Sequence, residues 1–256
     1  MGDKPSVAGD RRFFLKQVAS VASAAPLGSR LAASAALATV AAMPAAAGAA
    51  DAAATAPAAA PFVGYESLSG DDAAFVEAMV NVMCPADNLT PSGVDCGLAT
   101  YIDRQLAGDF GKGARRYMRG PWQPGKPQLG YQLPLTPEQF FKAGVAAATT
   151  ACKAKYNKAF DQLAPADADA FLTDVAAGKY NANAEISLAS WFNDIVYPLF
   201  AQACFADPIY GGNYNKVFWK MVGYPGLPAT HTLDMVNFRG KPYPGATDPK
   251  SIIDFS

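Results

Sequence analysis

Between Ala184 and Phe205 the chain places Ile186, Leu188, Trp191, Phe192, Ile195 and Val196, then Leu199 and Phe200, so that apolar side chains circle a helix almost completely. A helix of this kind is stable only when other elements surround it, and it therefore demands a layered helical core. Pro198 is expected to kink it. The partners are legible upstream. Gly70-Asp71-Asp72 precedes Phe75, Val76, Met79, Val80 and Met83 on one helical face, which predicts a helix over 71–84 ended by Pro85, with the two aspartates capping it and complementing its dipole. Val94 to Ala107 repeats the pattern through Leu98, Ile102 and Leu106, and Gly108 stands where a C-cap glycine belongs.

Thr136-Pro137-Glu138-Gln139 reads as a capping box with proline at the first helical position, opening a helix over 137–163. Pro165 starts another, carrying Phe171, Leu172 and Val175 and ending near Gly178. Residues 109–132 read as a long ordered loop with a basic cluster at Lys112, Arg115, Arg116 and Arg119. After Asp207 the periodicity fails, apart from a short amphipathic piece from Tyr214 to Val222. Residues 225–256 hold Pro225, Pro228, Pro242, Pro244 and Pro249, and they read as a tail that wraps its own domain or a partner. No alternating strand pattern of useful length appears, so the predicted class is all-α with long loops and an extended tail.

The N-terminal segment concerns destination rather than fold. Arg11, Arg12, Phe14, Leu15 and Lys16 match the twin-arginine export consensus, and the stretch from Val18 to Met43 is alanine-rich and interrupted by Pro26 and Arg30. A membrane anchor wants about twenty strongly apolar residues, so this stretch reads as a cleavable signal over 1–50, followed by an Ala/Pro linker over 51–62. The plainer alternative is the basic start of an ordinary secretory signal. A helical domain over 63–224 and the tail over 225–256 complete the predicted organisation. Past residue 50 the chain holds 16 Lys/Arg against 20 Asp/Glu, a net charge of −4 that argues against nucleic acid and against an electrostatic grip on anionic lipid. The overall 51% hydrophobic content is inflated by the alanines of the first sixty residues.

The twin-arginine route carries folded proteins, chiefly those that acquire a cofactor in the cytoplasm or travel bound to one that does. A flavin or dinucleotide site would need G-x-G-x-x-G between a strand and a helix, and neither Gly108-x-x-Gly111-x-Gly113 nor Gly211-Gly212 has that spacing. His231 follows no cysteine, so the C-x-x-C-H of a c-type haem is absent, and Cys84, Cys96, Cys152 and Cys204 lack the close pairs of zinc or iron–sulfur motifs. In an oxidising compartment four cysteines read as two disulfides, for which three connectivities exist. Cys84 and Cys96 bracket one short turn and form the natural local pair, Cys152 and Cys204 would then tie two long helices, and buried thiols are the alternative. His231 reads as a surface or packing residue, and Asp103-Arg104 as an intrahelical or loop ion pair. No acid–base pair or activated nucleophile stands out.

Specific segments carry a resemblance. Leu89-Thr90-Pro91-Ser92-Gly93-Val94-Asp95-Cys96-Gly97, continuing through Tyr101-Ile102-Asp103-Arg104-Gln105-Leu106-Ala107-Gly108 to Gly120-Pro121-Trp122, resembles the small-subunit family (subunit 3) of membrane-bound gluconate 2-dehydrogenase. So do Leu133-Pro134-Leu135-Thr136-Pro137-Glu138, Asp207-Pro208-Ile209-Tyr210-Gly211-Gly212-Asn213 and Trp219-Lys220-Met221-Val222-Gly223-Tyr224-Pro225-Gly226. The likeness covers most of residues 65–226. It implies a complex of a large FAD-containing subunit that oxidises a sugar acid or polyol, a multihaem cytochrome c subunit carrying haem c, and this small subunit, which holds no cofactor. The small subunit is then expected to bring its large partner through the twin-arginine translocon and to remain with it in the periplasm, at the inner membrane only through the complex. Against this stand a self-sufficient periplasmic enzyme or metal-binding protein, its site assembled from residues such as Asp103, Arg104 and His231, and a binding module with no enzyme partner. Tyr210, Tyr214, Phe218, Trp219 and Tyr224 fall within fifteen residues and are the predicted partner anchors, since aromatics of this kind dominate interface energetics.

Overall fold

The computed structural model describes residues 64–123, 125–126, 129–180, 186–227 and 230–256, all within one compact unit that begins at Ala53. The Arg11-Arg12 motif, the signal over 1–50 and the linker over 51–62 lie outside the described residues. The fold is all-α, and among the described residues the only strand-like pairing is a single parallel bridge between Gly226 and Lys250. No described helix is long and apolar enough to cross a membrane.

Helix α1 spans Gly70–Met83, and its N-cap is Ser69, whose hydroxyl accepts from the Asp72 N–H while the Asp72 carboxylate accepts from the Ser69 N–H. Helix α2 spans Leu98–Ala107 and starts four residues later than periodicity predicts. The intervening turn accounts for the delay. Ser92 and Asp95 close a local hydrogen-bonded turn, Gly97 takes a left-handed φ of 76°, and Gly93 lies so close to Val80 that an added Cβ would fall 2.3 Å from its carbonyl oxygen. The Gly93 N–H donates to the Cys84 carbonyl at 2.8 Å, which ties the turn to the end of α1.

Helix α3, Pro137–Tyr156, opens with the predicted box: the Gln139 N–H donates to Thr136 Oγ1 and the Thr136 N–H to Gln139 Oε1. It ends seven residues before the predicted limit. Asn157 caps it at a φ of 53°, and a short 3₁₀ turn over Phe160–Gln162 then swings the Phe160 ring inward, 4.6 Å from Phe75 and 5.7 Å from Phe171. Burying that ring favours the break, because a continued helix would carry it along the axis of α3. Helix α4 follows at Pro165–Ala176.

The all-round apolar segment forms α5, Leu188–Trp191, and α6, Tyr197–Phe205, joined by a π-helical turn over Phe192–Val196. Pro198 is the cause. A proline cannot donate to the carbonyl one turn back and crowds it, and the widened turn, in which the Tyr197 N–H reaches Phe192 O, lets the helix continue past it. Trp191 is fully buried at the centre, its indole N–H donating to Phe141 O at 3.0 Å, with the Phe75 and Phe141 rings 6.2 and 6.1 Å away.

Helix α7, Val217–Val222, is shorter than predicted because Asn213, Asn215 and Lys216 all adopt positive φ and confine Tyr214–Lys216 to one 3₁₀ turn. The tail contains an unforeseen helix, α8, Thr232–Asn237, and folds back onto its own domain. The Lys250 N–H donates to Pro225 O, the Leu227 N–H to Lys250 O, Lys216 Nζ to Pro249 O, and the Ile252 N–H to the Asp207 carboxylate.

Candidate partner-binding surface

The polar residues singled out from the sequence are occupied in holding the fold together. Asp103 is 1% exposed, and its carboxylate makes no ion pair of the kind predicted. Oδ2 accepts from the Glu66 N–H at 2.7 Å, and Oδ1 accepts from the N–H groups of Ser67 and Leu68, both at 2.9 Å. One side chain on α2 thus anchors the strand of chain leading into α1. Ser67 in turn donates its hydroxyl to Glu138, and Lys142 and Ser67 hold that carboxyl below the usual glutamate range. Arg104 packs against Gly211, whose φ of 97° suits the close approach. His231 lies in the tail, with Nδ1 3.1 Å from Asp234 and Nε2 3.2 Å from Gly226 O, while Tyr243 donates to the same Asp234. Asp103, Arg104 and His231 therefore serve separate contacts, and among the described residues no group of three or more His, Cys, Asp or Glu is arranged to hold a metal. In the basic loop, Arg116 donates to Tyr131 O and stacks 3.9 Å above its ring, whereas Lys112, Arg115 and Arg119 are exposed.

The cysteines depart from the expected bridging. All four are buried, and no disulfide joins them. Cys152 donates to Lys158 O at 3.6 Å, just past the end of α3, and Cys204 is buried on α6.

The aromatic segment divides into two sets. Phe218 and Trp219 are each 5% exposed, Trp219 donating its indole N–H to Phe205 O at 2.8 Å, so most of both rings is spent on the chain's own packing. Tyr210 and Tyr224 are about half exposed at 50% and 44%, and Tyr214 is half-buried. The segment is shaped by Asn213, fully buried, which accepts from the Phe218 N–H and donates to Ala206 O, and by the Tyr214 N–H, which donates to Cys96 O. Asp207 then joins this segment to the C-terminus, because its two oxygens accept from the Ile209 and Ile252 N–H groups.

Between the two lies a groove of about 500 Å³ walled by Phe205, Trp219, Val222, Tyr224, Leu227 and Ile252. Around it Met221, Val222, Ile253 and Phe255 stand roughly half to three-quarters exposed, a concentration of apolar surface that a solvent-facing helical domain has no packing reason to keep. Sequence reasoning found Trp219 and Tyr224 and missed Phe205, Val222, Ile252, Ile253 and Phe255. Phe205 and Val222 were assigned to helices, and the apolar residues at the very end follow a proline-rich stretch with no periodicity to signal their shared face.

The chain matches the family model described as gluconate 2-dehydrogenase subunit 3 over residues 70–226. No curated protein and no solved structure matches it significantly. The matched segment starts at the first residue of α1 and stops at Gly226, so it takes in the whole helical core and one wall of the groove, while Leu227 and Ile252 on the other wall lie beyond it. With most of its length matched, and with that length coinciding with the helical core, the chain belongs to the gluconate 2-dehydrogenase subunit 3 family.

Proposed function

We propose that this chain is the cofactor-free escort and structural subunit of a periplasmic FAD-dependent dehydrogenase that oxidises a sugar acid or polyol. Family membership makes it an accessory subunit of the gluconate 2-dehydrogenase type, within a multi-subunit complex. The observation that carries the reading is this membership in a chain whose conspicuous polar residues are engaged in folding and which keeps an apolar groove open beside Tyr224. In this reading the Arg11-Arg12 signal serves the flavoprotein as much as its own chain, and the haem c subunit passes electrons onward to the membrane.

Changing Arg11 and Arg12 together to lysine is expected to leave both this chain and its flavoprotein partner in the cytoplasmic fraction, measured by immunoblot and by flavin absorbance of fractionated cells. Normal arrival of the flavoprotein in the periplasm overturns the escort role. Changing Tyr224 and Val222 to alanine is expected to weaken co-purification of the flavoprotein at least about tenfold, since truncating an aromatic anchor commonly costs about 2 kcal/mol or more. Far-ultraviolet circular dichroism should be unchanged, because both side chains are about half exposed and neither belongs to the buried core. Undiminished co-purification places the interface elsewhere, with the exposed Lys112, Arg115 and Arg119 the next surface to alter.

A further inference from the structure

We propose that Cys84 and Cys96 are an oxidisable pair that closes into a disulfide across the turn between α1 and α2, and that the buried Cys204 takes no part. Cys84 caps α1, and Cys96 directly precedes Gly97, the residue that opens α2. Their sulfurs converge on one acceptor: Cys84 Sγ lies 3.8 Å and Cys96 Sγ 3.7 Å from the carbonyl oxygen of Pro91, and the Cys96 thiol also meets Cys84 directly. The backbone around them is already closed. The Gly93 N–H reaches Cys84 O, the Val94 N–H reaches Asn81 Oδ1, and the Tyr214 N–H reaches Cys96 O, so the pair is brought together by contacts that do not depend on a bond between the sulfurs. Sequence spacing alone offered the local pair as one of three connectivities; the structure adds that these two sulfurs share one acceptor, while Cys152 is set against Lys158 O past the end of α3.

The environment orders the chemistry. The contact with Cys84, and then burial, push the Cys96 thiol well above its ordinary range, and burial with the nearby Cys84 does the same to Cys204. Neither is a ready nucleophile. Cys84 is the most exposed of the three at 8% and lies at the mouth of the turn that carries the exposed Leu89, so it starts the exchange. Its thiolate attacks a small-molecule disulfide, forming a mixed disulfide and releasing one small thiol. The Cys96 sulfur then attacks the Cys84 sulfur, and the second small thiol leaves with the remaining proton. Two protein thiols have lost two electrons and two protons, and one small disulfide has become two thiols.

The product links the C-cap of α1 to the entrance of α2 within the segment matched to the family, and it stabilises by restricting the unfolded chain. The test uses the full-length protein with its bound partners, reduced and then incubated with oxidised glutathione, denatured and alkylated. No lysine or arginine lies between Arg30 and Arg104, so trypsin leaves both cysteines in one peptide; a protease cutting at Asp87 and Asp95 separates them. The expected result is a Cys84–Cys96 linked pair of peptides with Cys152 and Cys204 alkylated, and a melting midpoint roughly 6 °C higher than that of the reduced protein. Cys204→Ser is expected to retain both the link and the shift. Cys84→Ser is expected to lose both while melting, when reduced, close to the reduced wild type. Full alkylation of Cys84 and Cys96 after oxidation overturns the proposal, as does a link from Cys204 to either.

Discussion

Replacing Asp103 with alanine is expected to destabilise the fold by about 3 kcal/mol, which for a unit of this size lowers the melting midpoint by roughly 6 to 12 °C. The carboxylate is 1% exposed and, among the described residues, forms no salt bridge; three backbone N–H groups delivered by Glu66, Ser67 and Leu68 satisfy it. Hydrogen bonds with an ionised partner contribute more than neutral ones, and removing the acceptor leaves donors beside a cavity that buried Leu68 helps to close. Asp103→Asn refines the argument. An amide oxygen at the Oδ1 position keeps the bonds from Ser67 and Leu68, while the NH₂ group is set against the Glu66 N–H, so about half of the loss should remain. Urea unfolding of the three proteins measures this series. An alanine variant within about 0.5 kcal/mol of wild type, the range of ordinary surface changes, would show that the anchoring is incidental.

Gly144→Ala should destabilise by about 2 kcal/mol, although helix propensity alone predicts a gain of about 1 kcal/mol for the same change. The sign of the effect therefore decides between local and tertiary control. A Cβ at Gly144 would fall 2.0 Å from Cδ1 and 2.3 Å from Cγ of Trp191. The indole cannot retreat cheaply, since it is completely buried, flanked by Phe75 and Phe141, and tied through its N–H to Phe141 O. Interiors packed to crystal density accommodate an extra methyl only by shifting side chains off their rotamers. Trp191→Phe removes the indole bond and part of the volume, so the two substitutions together should cost less than their sum, by about 1 kcal/mol in a double-mutant cycle. Additive losses in denaturant melts would mean that the two residues do not press on each other.

Both sites show where reading the chain stops being sufficient. Asp103 was placed on the correct helix, but its partners are backbone amides more than thirty residues away, and backbone groups leave no compositional trace. Gly144 reads as an ordinary weak point in a helix until Trp191 is laid across it. The tail is a third case: its prolines announced irregular backbone, yet nothing in their order indicated that Lys250 would pair with Gly226 or that Ile252 would hang from Asp207. The divided fate of the aromatic segment belongs here too, because α7 turns Phe218 and Trp219 inward whereas Tyr224, past the Gly223 cap, stays about half exposed.

What the sequence determined by itself was the helical class, the capped start of α3, the disturbance at Pro198 and the family. Each rests on contacts within one turn of helix, or on motifs that stay contiguous along the chain. Tertiary structure alone decided which carboxylate anchors which loop, which two thiols share an acceptor, and which apolar residues remain outside. The physical reason is that burial and hydrogen-bond pairing depend on what lies opposite in space, and a lost bond or a misplaced methyl at such a contact costs more than local propensity can supply.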